Sequence, residues 1–484
     1  MRHSPDDRTP PLPGRIPPLP DHRPAVPTTG PPESAPVPGP PGFAPAPGQP
    51  GPTADTDALS PGFTPAPVPP LATNALPAPP RALAPDLARG FMLCLIAIAN
   101  VSVYLWGSVD PTSSSPHPTD GSTLDTVLSV LTILFVDGRI YPMFAFLFGY
   151  GMIQFSRSRT ARGDEPAAVS RMLVRRNLWL IVFGFVHALL LFGGDILGAY
   201  GLAGLVLGFA VLRGSDRALR ITAWILAGLV AAFSLVQFLF ALLIAWAAGD
   251  TSAPGDEEVP EVDPLWDFTI SLSTLGNGED NYLLALAVRI GMWFVSSLFA
   301  NLALAVPLCI LLGALAARHL WIEAGPTRPR PSLGLVAELG IAIGVLGAVP
   351  QALQFLGLIP EEALAPFAFM GLSQLTGIAA GLGYVALFGI IGTRLTQRPP
   401  AFLLPVAHVG KRSLSFYLLQ SLVFAPLLAA WGFGLGETWT TTSAYLLALG
   451  IWIVSLPLAW AMERTAYRGP AEVVLRRLTY GRRV

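Results

Sequence analysis

His187 stands inside the run FGFVHALLLFGGDILGAYGL, Phe183 to Leu202, with Asp195 eight residues further on beyond a Gly193-Gly194 break. An ionisable group at membrane depth is costly, by roughly 2.5–3.5 kcal/mol for a charged one, so such a residue is a functional candidate by default. Histidine carries a smaller penalty because it can stay neutral and still exchange a proton near pH 7. The chemistry this pair could do is proton abstraction, with an aspartate orienting the imidazole. The plainer use of a lone membrane histidine is a hydrogen bond to a neighbouring helix. The choice depends on whether other polar residues share its depth.

Composition defines what must position them. Of 484 residues, 52% are hydrophobic and 13% charged, and the mean hydropathy is +0.55. A water-soluble globular chain of this size does not look like this, so the expected class is all-α, a polytopic transmembrane helix bundle. About ten apolar runs are long enough to span, near 90–107, 139–155, 176–193, 195–213, 219–247, 301–318, 333–356, 366–392, 413–433 and 443–462. Segments 122–137 and 284–299 are apolar but carry polar residues and fit interfacial or re-entrant helices. Residues 1–80, rich in Pro, Ala and Gly, cannot bury enough apolar surface to fold and are expected to form a disordered cytoplasmic tail, separate from a membrane domain over 81–484.

The connections alternate in charge. Arginines cluster at Arg157 to Arg176, Arg213 to Arg220, Arg318 to Arg330, Arg394 to Arg412 and Arg464 to Arg483. The intervening loops are acidic or neutral, as in Asp256-Glu257-Glu258, Glu361-Glu362 and around Glu437. Basic residues accumulate on the cytoplasmic side, so both termini are expected in the cytoplasm and the protein in a bacterial plasma membrane. The two cysteines, Cys94 and Cys309, lie in apolar runs, which suggests neither a disulfide framework nor a thiolate metal site. Nothing resembles a nucleic-acid module.

With orientation set, depth follows from the helical rise. Asn100 lies eleven residues past Arg89 and His187 eleven past Arg176, each roughly 16 Å from the inner face. Tyr417, Gln420 and Ser421 follow Arg412 by five to nine residues, roughly 8–14 Å in. These groups are expected to converge within the bundle, with Asp137, Arg139 and Asp195 above them. A second cluster, Arg81, Asp86 and Arg89 in RALAPDLARG, is either an ordinary helix flank with snorkelling arginines or a phosphate site, since guanidinium forks match phosphate bidentately. His117, His319 and His408 are expected to be solvated loop residues, and no spacing makes a convincing metal site.

RALAPDLARGFMLCLIAIAN resembles the opening Arg-Asp-Arg-Gly motif of the YeiB-like bacterial membrane proteins, the DUF418 family. The likeness continues through GRIYPMFAFLFGYGMIQF, VRRNLWLIVFGFVHALLLFGGDILGAYGLAG, VGKRSLSFYLLQS and YRGPAEVVLRRLTYG. Two departures stand out: Pro85 replaces a usual Leu or Ile, and Gly138-Arg139-Ile140 replaces a usual Lys-Phe-Arg. That family is in turn similar to transmembrane acyltransferases of the heparan-glucosaminide acetyltransferase type. The resemblance implies transfer from cytoplasmic acyl-CoA to an acceptor reached from outside. In that reading His187 is the base or transient acyl carrier, oriented by Asp195, and Asn100, Tyr417 and Gln420 polarise the thioester carbonyl. Arg81, Asp86 and Arg89 form the CoA-phosphate end, and Arg139 and Ser421 are candidates for holding substrate. The expected partners are the bilayer, a small-molecule donor and acceptor and, as an open alternative, further copies of the chain. A transporter, for which midplane polar groups and a broken helix are equally expected, or a noncatalytic membrane protein are the competing classes.

Overall fold

The computed structural model describes residues 83–107, 115–250, 276–302, 304–322, 332–359, 368–395 and 399–481, all within one compact unit, Pro77–Val484. The expected tail, Arg81 and both acidic loops, Asp256-Glu257-Glu258 and Glu361-Glu362, lie outside the described residues. The described residues form helices and no strand. In order these are α1 (Leu83–Ser102), α2 (Thr123–Phe135), α3 (Ile140–Thr160), α4 (Pro166–Leu190), α5 (Leu197–Arg213), α6 (Asp216–Asp250) and α7 (Tyr282–Leu302). There follow α8 (Ala305–Arg318), α9 (Leu333–Phe355), α10 (Ala368–Leu395), α11 (Leu404–Lys411), α12 (Ser413–Leu428), α13 (Thr441–Arg464) and α14 (Pro470–Tyr480).

Seven helical stretches are long and apolar enough to cross a membrane: α1, the α2–α3 run Thr123–Thr160, α4, most of α6, α9, α10 and α13. The other three expected spans, 195–213, 301–318 and 413–433, fall on the shorter apolar helices α5, α8 and α12. At 14 residues α8 rises only about 21 Å, less than the hydrocarbon thickness. Segment 284–299 is α7, and 122–137 is α2, joined to α3 through a turn at Val136–Arg139 rather than standing apart. The outward faces are what lipid requires: Trp224 is 79% exposed and Val236 62% on α6, and Leu346 is 70% exposed on α9. In water such patches would drive aggregation, so this is a multi-pass membrane protein.

Small residues let the core helices close. A Cβ at Gly149 of α3 would strike the Ile310 carbonyl of α8, and one at Gly313 would strike that of Phe146. The same reciprocal contact joins α1 and α11, through Gly90 against Val406 and Gly410 against Asp86. Close backbone approach is how membrane helices associate without a hydrophobic driving force. Side chains fix the rest. Ser122 and Asp125 make a capping box that starts α2, and the second Asp125 oxygen accepts 2.6 Å bonds from Thr442 N and Oγ1, tying α2 to the start of α13. At the other end Lys411 and Arg412 pair with Glu463 at 2.6 and 2.9 Å, and Arg318 pairs with Asp216 at 2.7 Å. The Arg159 guanidinium lies 4.1 Å from the Tyr480 ring. Basic residues stand at the ends of α3, α8, α11 and α13, and α14 packs against α4 and α12.

Candidate functional site: a buried histidine–aspartate pair

His187 occupies the last turn of α4, and the chain then leaves helical geometry from Leu191 to Ile196 before α5 begins. This break turns the chain back, so that Asp195 Oδ1 lies 2.8 Å from His187 Nδ1. Both side chains are enclosed, at 1% and 0% exposure. Gly184, three residues before His187, makes room: a Cβ there would collide with Asp195 Oδ2 and with Gly198 N. Asp195 also starts α5, its Oδ2 accepting the Gly198 N–H at 2.8 Å. A carboxylate at a helix N-terminus meets unsatisfied N–H groups and the positive end of the helix dipole.

Two further donors address the carboxylate. Trp293 Nε1 of α7 reaches Oδ2 at 3.4 Å, and the Tyr417 hydroxyl of α12 reaches Oδ1 at 3.4 Å. Tyr417 packs its ring 5.1 Å from the His187 imidazole, and Phe192 lies 6.3 Å from it on another side. With an ionised carboxylate at Nδ1, that nitrogen donates and Nε2 keeps its lone pair. His187 Nε2 is buried and has no hydrogen-bond partner. An unpaired buried acceptor costs about 1–3 kcal/mol, and a general base is a group for which that cost has a use.

The other candidates divide. Gln420, one turn beyond Tyr417, donates from Nε2 to the Leu93 carbonyl of α1 at 2.8 Å and leaves its Oε1 buried and unpaired. Ser421 faces the hydroxyl of Tyr104, which donates to the Leu191 carbonyl at 3.2 Å and stacks on Phe192 at 5.5 Å. Ser421 therefore borders, through Tyr104, the break that carries Asp195. Asn100 is half-buried on α1, seven residues or about 10 Å along the helix from Leu93. No hydrogen bond joins Asn100 to His187, Asp195, Tyr417 or Gln420 among the described residues.

Asp86 is buried and pairs with Arg89 at 3.7 Å, while Arg89 Nη2 donates to the Leu147 carbonyl at 2.9 Å. Arg176 of α4 joins this end, close enough for the two guanidinium charges to act on one another and 5.5 Å from the Phe148 ring. Arg139 is fully enclosed and clamps the α2–α3 turn: it donates to the Asp137 carbonyl, to Ser373 Oγ at 3.1 Å and to the Gly344 carbonyl at 2.8 Å.

Two features were not expected. His117 is 1% exposed rather than solvated, and its Nε2 lies 2.7 Å from Asp137 Oδ2, with Nδ1 buried and unpaired. The two residues stand twenty apart in sequence, so no local pattern marks the pair. Arg289 of α7 is 1% exposed. The sequence signal for it is an arginine inside the apolar stretch 284–299, the segment that fits an interfacial or re-entrant helix. Among the described residues, no three His, Cys, Asp or Glu side chains gather where they could hold a metal ion.

Fold and site thus define a class, the polytopic helical membrane proteins with an acid–base pair enclosed in the bundle. Within it the chain is similar to the YeiB-like DUF418 proteins. Residues 316–482 match the family model described as "Protein of unknown function (DUF418)". The chain is 26% identical to "Uncharacterized protein YeiB" of Escherichia coli (strain K12) over 81% of its own length and 95% of that protein. It is 24% identical to "Uncharacterized protein YxaH" of Bacillus subtilis (strain 168), over 74% of this chain and 83% of that one. A 39.9 kDa protein from the amylase 3′ region of Bacillus acidopullulyticus is 33% identical over 25% of this chain and 32% of its own. No solved structure matches the chain.

Proposed function

We propose that this protein is an acyltransferase of the bacterial plasma membrane that moves an acyl group from cytoplasmic acyl-CoA to a hydroxyl- or amine-bearing acceptor on the outer side. The observation that carries the reading is the His187–Asp195 pair, with Nδ1 engaged and Nε2 unpaired in a water-poor interior. The alternating basic loops support cytoplasmic termini. On that orientation the Arg89–Arg176 end faces the cytoplasm, eleven residues of α4 or about 16 Å from His187. The pantetheine arm of CoA bridges a gap of that kind, with its phosphates at the guanidinium groups.

In the transfer, His187 Nε2 takes the acceptor proton as the acceptor oxygen or nitrogen attacks the thioester carbonyl. The carbon–sulfur bond breaks, and the CoA thiolate leaves and takes that proton. Asp195 holds the imidazole in one tautomer and stabilises its charged form. Gln420, one turn beyond Tyr417 on α12, keeps a second amide N–H besides the one given to Leu93 and supplies it to the developing oxyanion, while the Tyr417 hydroxyl holds Asp195.

A second reading, a transporter, draws on the nonhelical Leu191–Ile196 segment, since broken helices at membrane depth build transport sites. Purified protein with radiolabelled acetyl-CoA separates the two. Release of CoA that is lost in His187→Ala supports transfer. Substrate uptake into proteoliposomes with no CoA released sinks it.

A further inference from the structure

The α4–α5 break has a second side, formed by α7 and the segment after α12. Arg289 and Trp293 stand one turn apart on α7 and both face the break: Trp293 reaches Asp195, while Arg289 Nε and Nη2 donate to the Leu189 carbonyl at 3.4 Å each. A Cβ at Gly193 would touch Met292 and Arg289 Cα. The Arg289 guanidinium lies beside two rings, 5.1 Å from Tyr282 and 5.7 Å from Trp431, and these rings meet edge to face at 4.9 Å. Tyr282 donates its hydroxyl to the Leu190 carbonyl at 3.1 Å.

Part of this arrangement caps α4, whose last carbonyls need donors and favour a cation. Capping does not use everything present. Arg289 Nη1 and Trp431 Nε1 are both buried without a hydrogen-bond partner, and no carboxylate among the described residues pairs with Arg289. The segment bearing Trp431 is held rigid, since Ala430 N donates to the Asn277 carbonyl at 2.8 Å and Asn277 Nδ2 to the Val103 carbonyl at 2.8 Å. A guanidinium enclosed at membrane depth with a spare N–H, beside a spare indole N–H, is an uncompensated positive site.

We infer that Arg289 and Trp431 form an oxyanion-binding site that holds the phosphate or carboxylate group of the acceptor at the outer end of the His187 helix. The inference rests on the proposed transfer for the word acceptor. The binding itself does not. An anion here neutralises the guanidinium, satisfies both spare donors and sits on the far side of the break from the imidazole. The acceptor class is then an anionic one, either a phospholipid-like molecule or a soluble phosphorylated sugar, sharing the same group.

The test needs no acyl-CoA. Full-length protein in neutral detergent is titrated with dihexanoyl phosphatidic acid, with inorganic phosphate and with dihexanoyl phosphatidylcholine, and its melting temperature is followed, because a ligand that binds only the native state raises it. Phosphatidic acid and not phosphatidylcholine is expected to stabilise, with an apparent Kd raised at least about tenfold in Arg289→Gln. Stabilisation by phosphate as well assigns the site to the group alone, and stabilisation by phosphatidic acid only assigns it to a lipid. Trp431→Phe keeps the ring stack and the helix cap while deleting one donor, and is expected to weaken binding severalfold even where Arg289→Gln fails to fold. No stabilisation by either anion, or equal stabilisation of wild type and Trp431→Phe, overturns the inference. Loss of CoA release in His187→Ala with no anion effect would leave transfer standing and remove only this site.

Discussion

His187 meets Asp195 at 2.8 Å and His117 meets Asp137 at 2.7 Å, yet the carboxylates differ: the Asp195 side chain is fully enclosed and that of Asp137 is 25% exposed. Asp195 accepts from Gly198, Trp293 and Tyr417 besides its histidine. Asp137 sits on a turn whose arginine donates to the Asp137 carbonyl, to the Gly344 carbonyl of α9 and to the Ser373 hydroxyl of α10. The same short bond is therefore built in two ways. One pair is fixed by the end of one helix, the start of the next and two neighbouring helices. The other is a loop contact against a partly open carboxylate. A fixed pair can hold a base in one orientation, whereas a pair whose carboxylate is partly open to solvent lets water compete for the buried imidazole.

The largest effect should separate the two histidines. His187→Ala is expected to lower CoA release from acetyl-CoA by about 10²- to 10⁴-fold, as removal of a general base does. His117→Ala should stay within about tenfold of wild type, a change of roughly 1.4 kcal/mol or less in the barrier. Steady-state rates on both variants at matched melting temperature check this. If His117→Ala loses as much as His187→Ala, the two pairs act on one reaction and the contrast fails.

Asp195→Asn should be next in size. Removing one charge of an enclosed pair while its donors remain costs about 3–5 kcal/mol, and the amide cannot accept from His187 and Gly198 as the carboxylate does. Gly184→Ala probes the same contact sterically, at about 1–3 kcal/mol, because the new methyl group meets Asp195 and Gly198. Chemical denaturation in detergent should rank both well above Asp137→Asn, for which solvent screening leaves about 1 kcal/mol or less. Equal losses at Asp195 and Asp137 would mean that burial does not distinguish the pairs.

How much of this was readable from the chain depends on the distance between partners. The membrane bundle and its ten apolar runs follow from composition and run length, which are local properties. His187 and Asp195 stand eight apart across a Gly-Gly break, close enough that a turn could be inferred to join them. His117 and Asp137 stand twenty apart with a whole helix between them, and nothing in either neighbourhood marks the other. Equal depth also proved a weaker guide than azimuth. Asn100 and His187 share a depth estimate, but helix rotation is set by packing, as at Gly90 against Val406, and no hydrogen bond links them. Gln420, at a different depth, bonds to the same helix α1.

The smallest expected effect concerns a carboxyl outside both pairs. Glu472 of α14 accepts from Leu414 N at 2.9 Å and Ser415 N at 3.1 Å, and from Ser415 Oγ, latching α14 to the start of α12. Burial raises its pKa above the ordinary glutamate value, and these hydrogen bonds offset only part of that. The folded state thus binds this proton more tightly than the unfolded chain. Its contribution to stability is fully present below the unfolded value, near about 4.3, and is lost as pH rises through the raised folded value. Glu472→Gln keeps the carbonyl that accepts the two backbone N–H groups and cannot ionise. Its melting temperature should fall less than that of wild type as pH rises from about 4 to 7. Should the two proteins show parallel profiles, Glu472 contributes nothing to the slope.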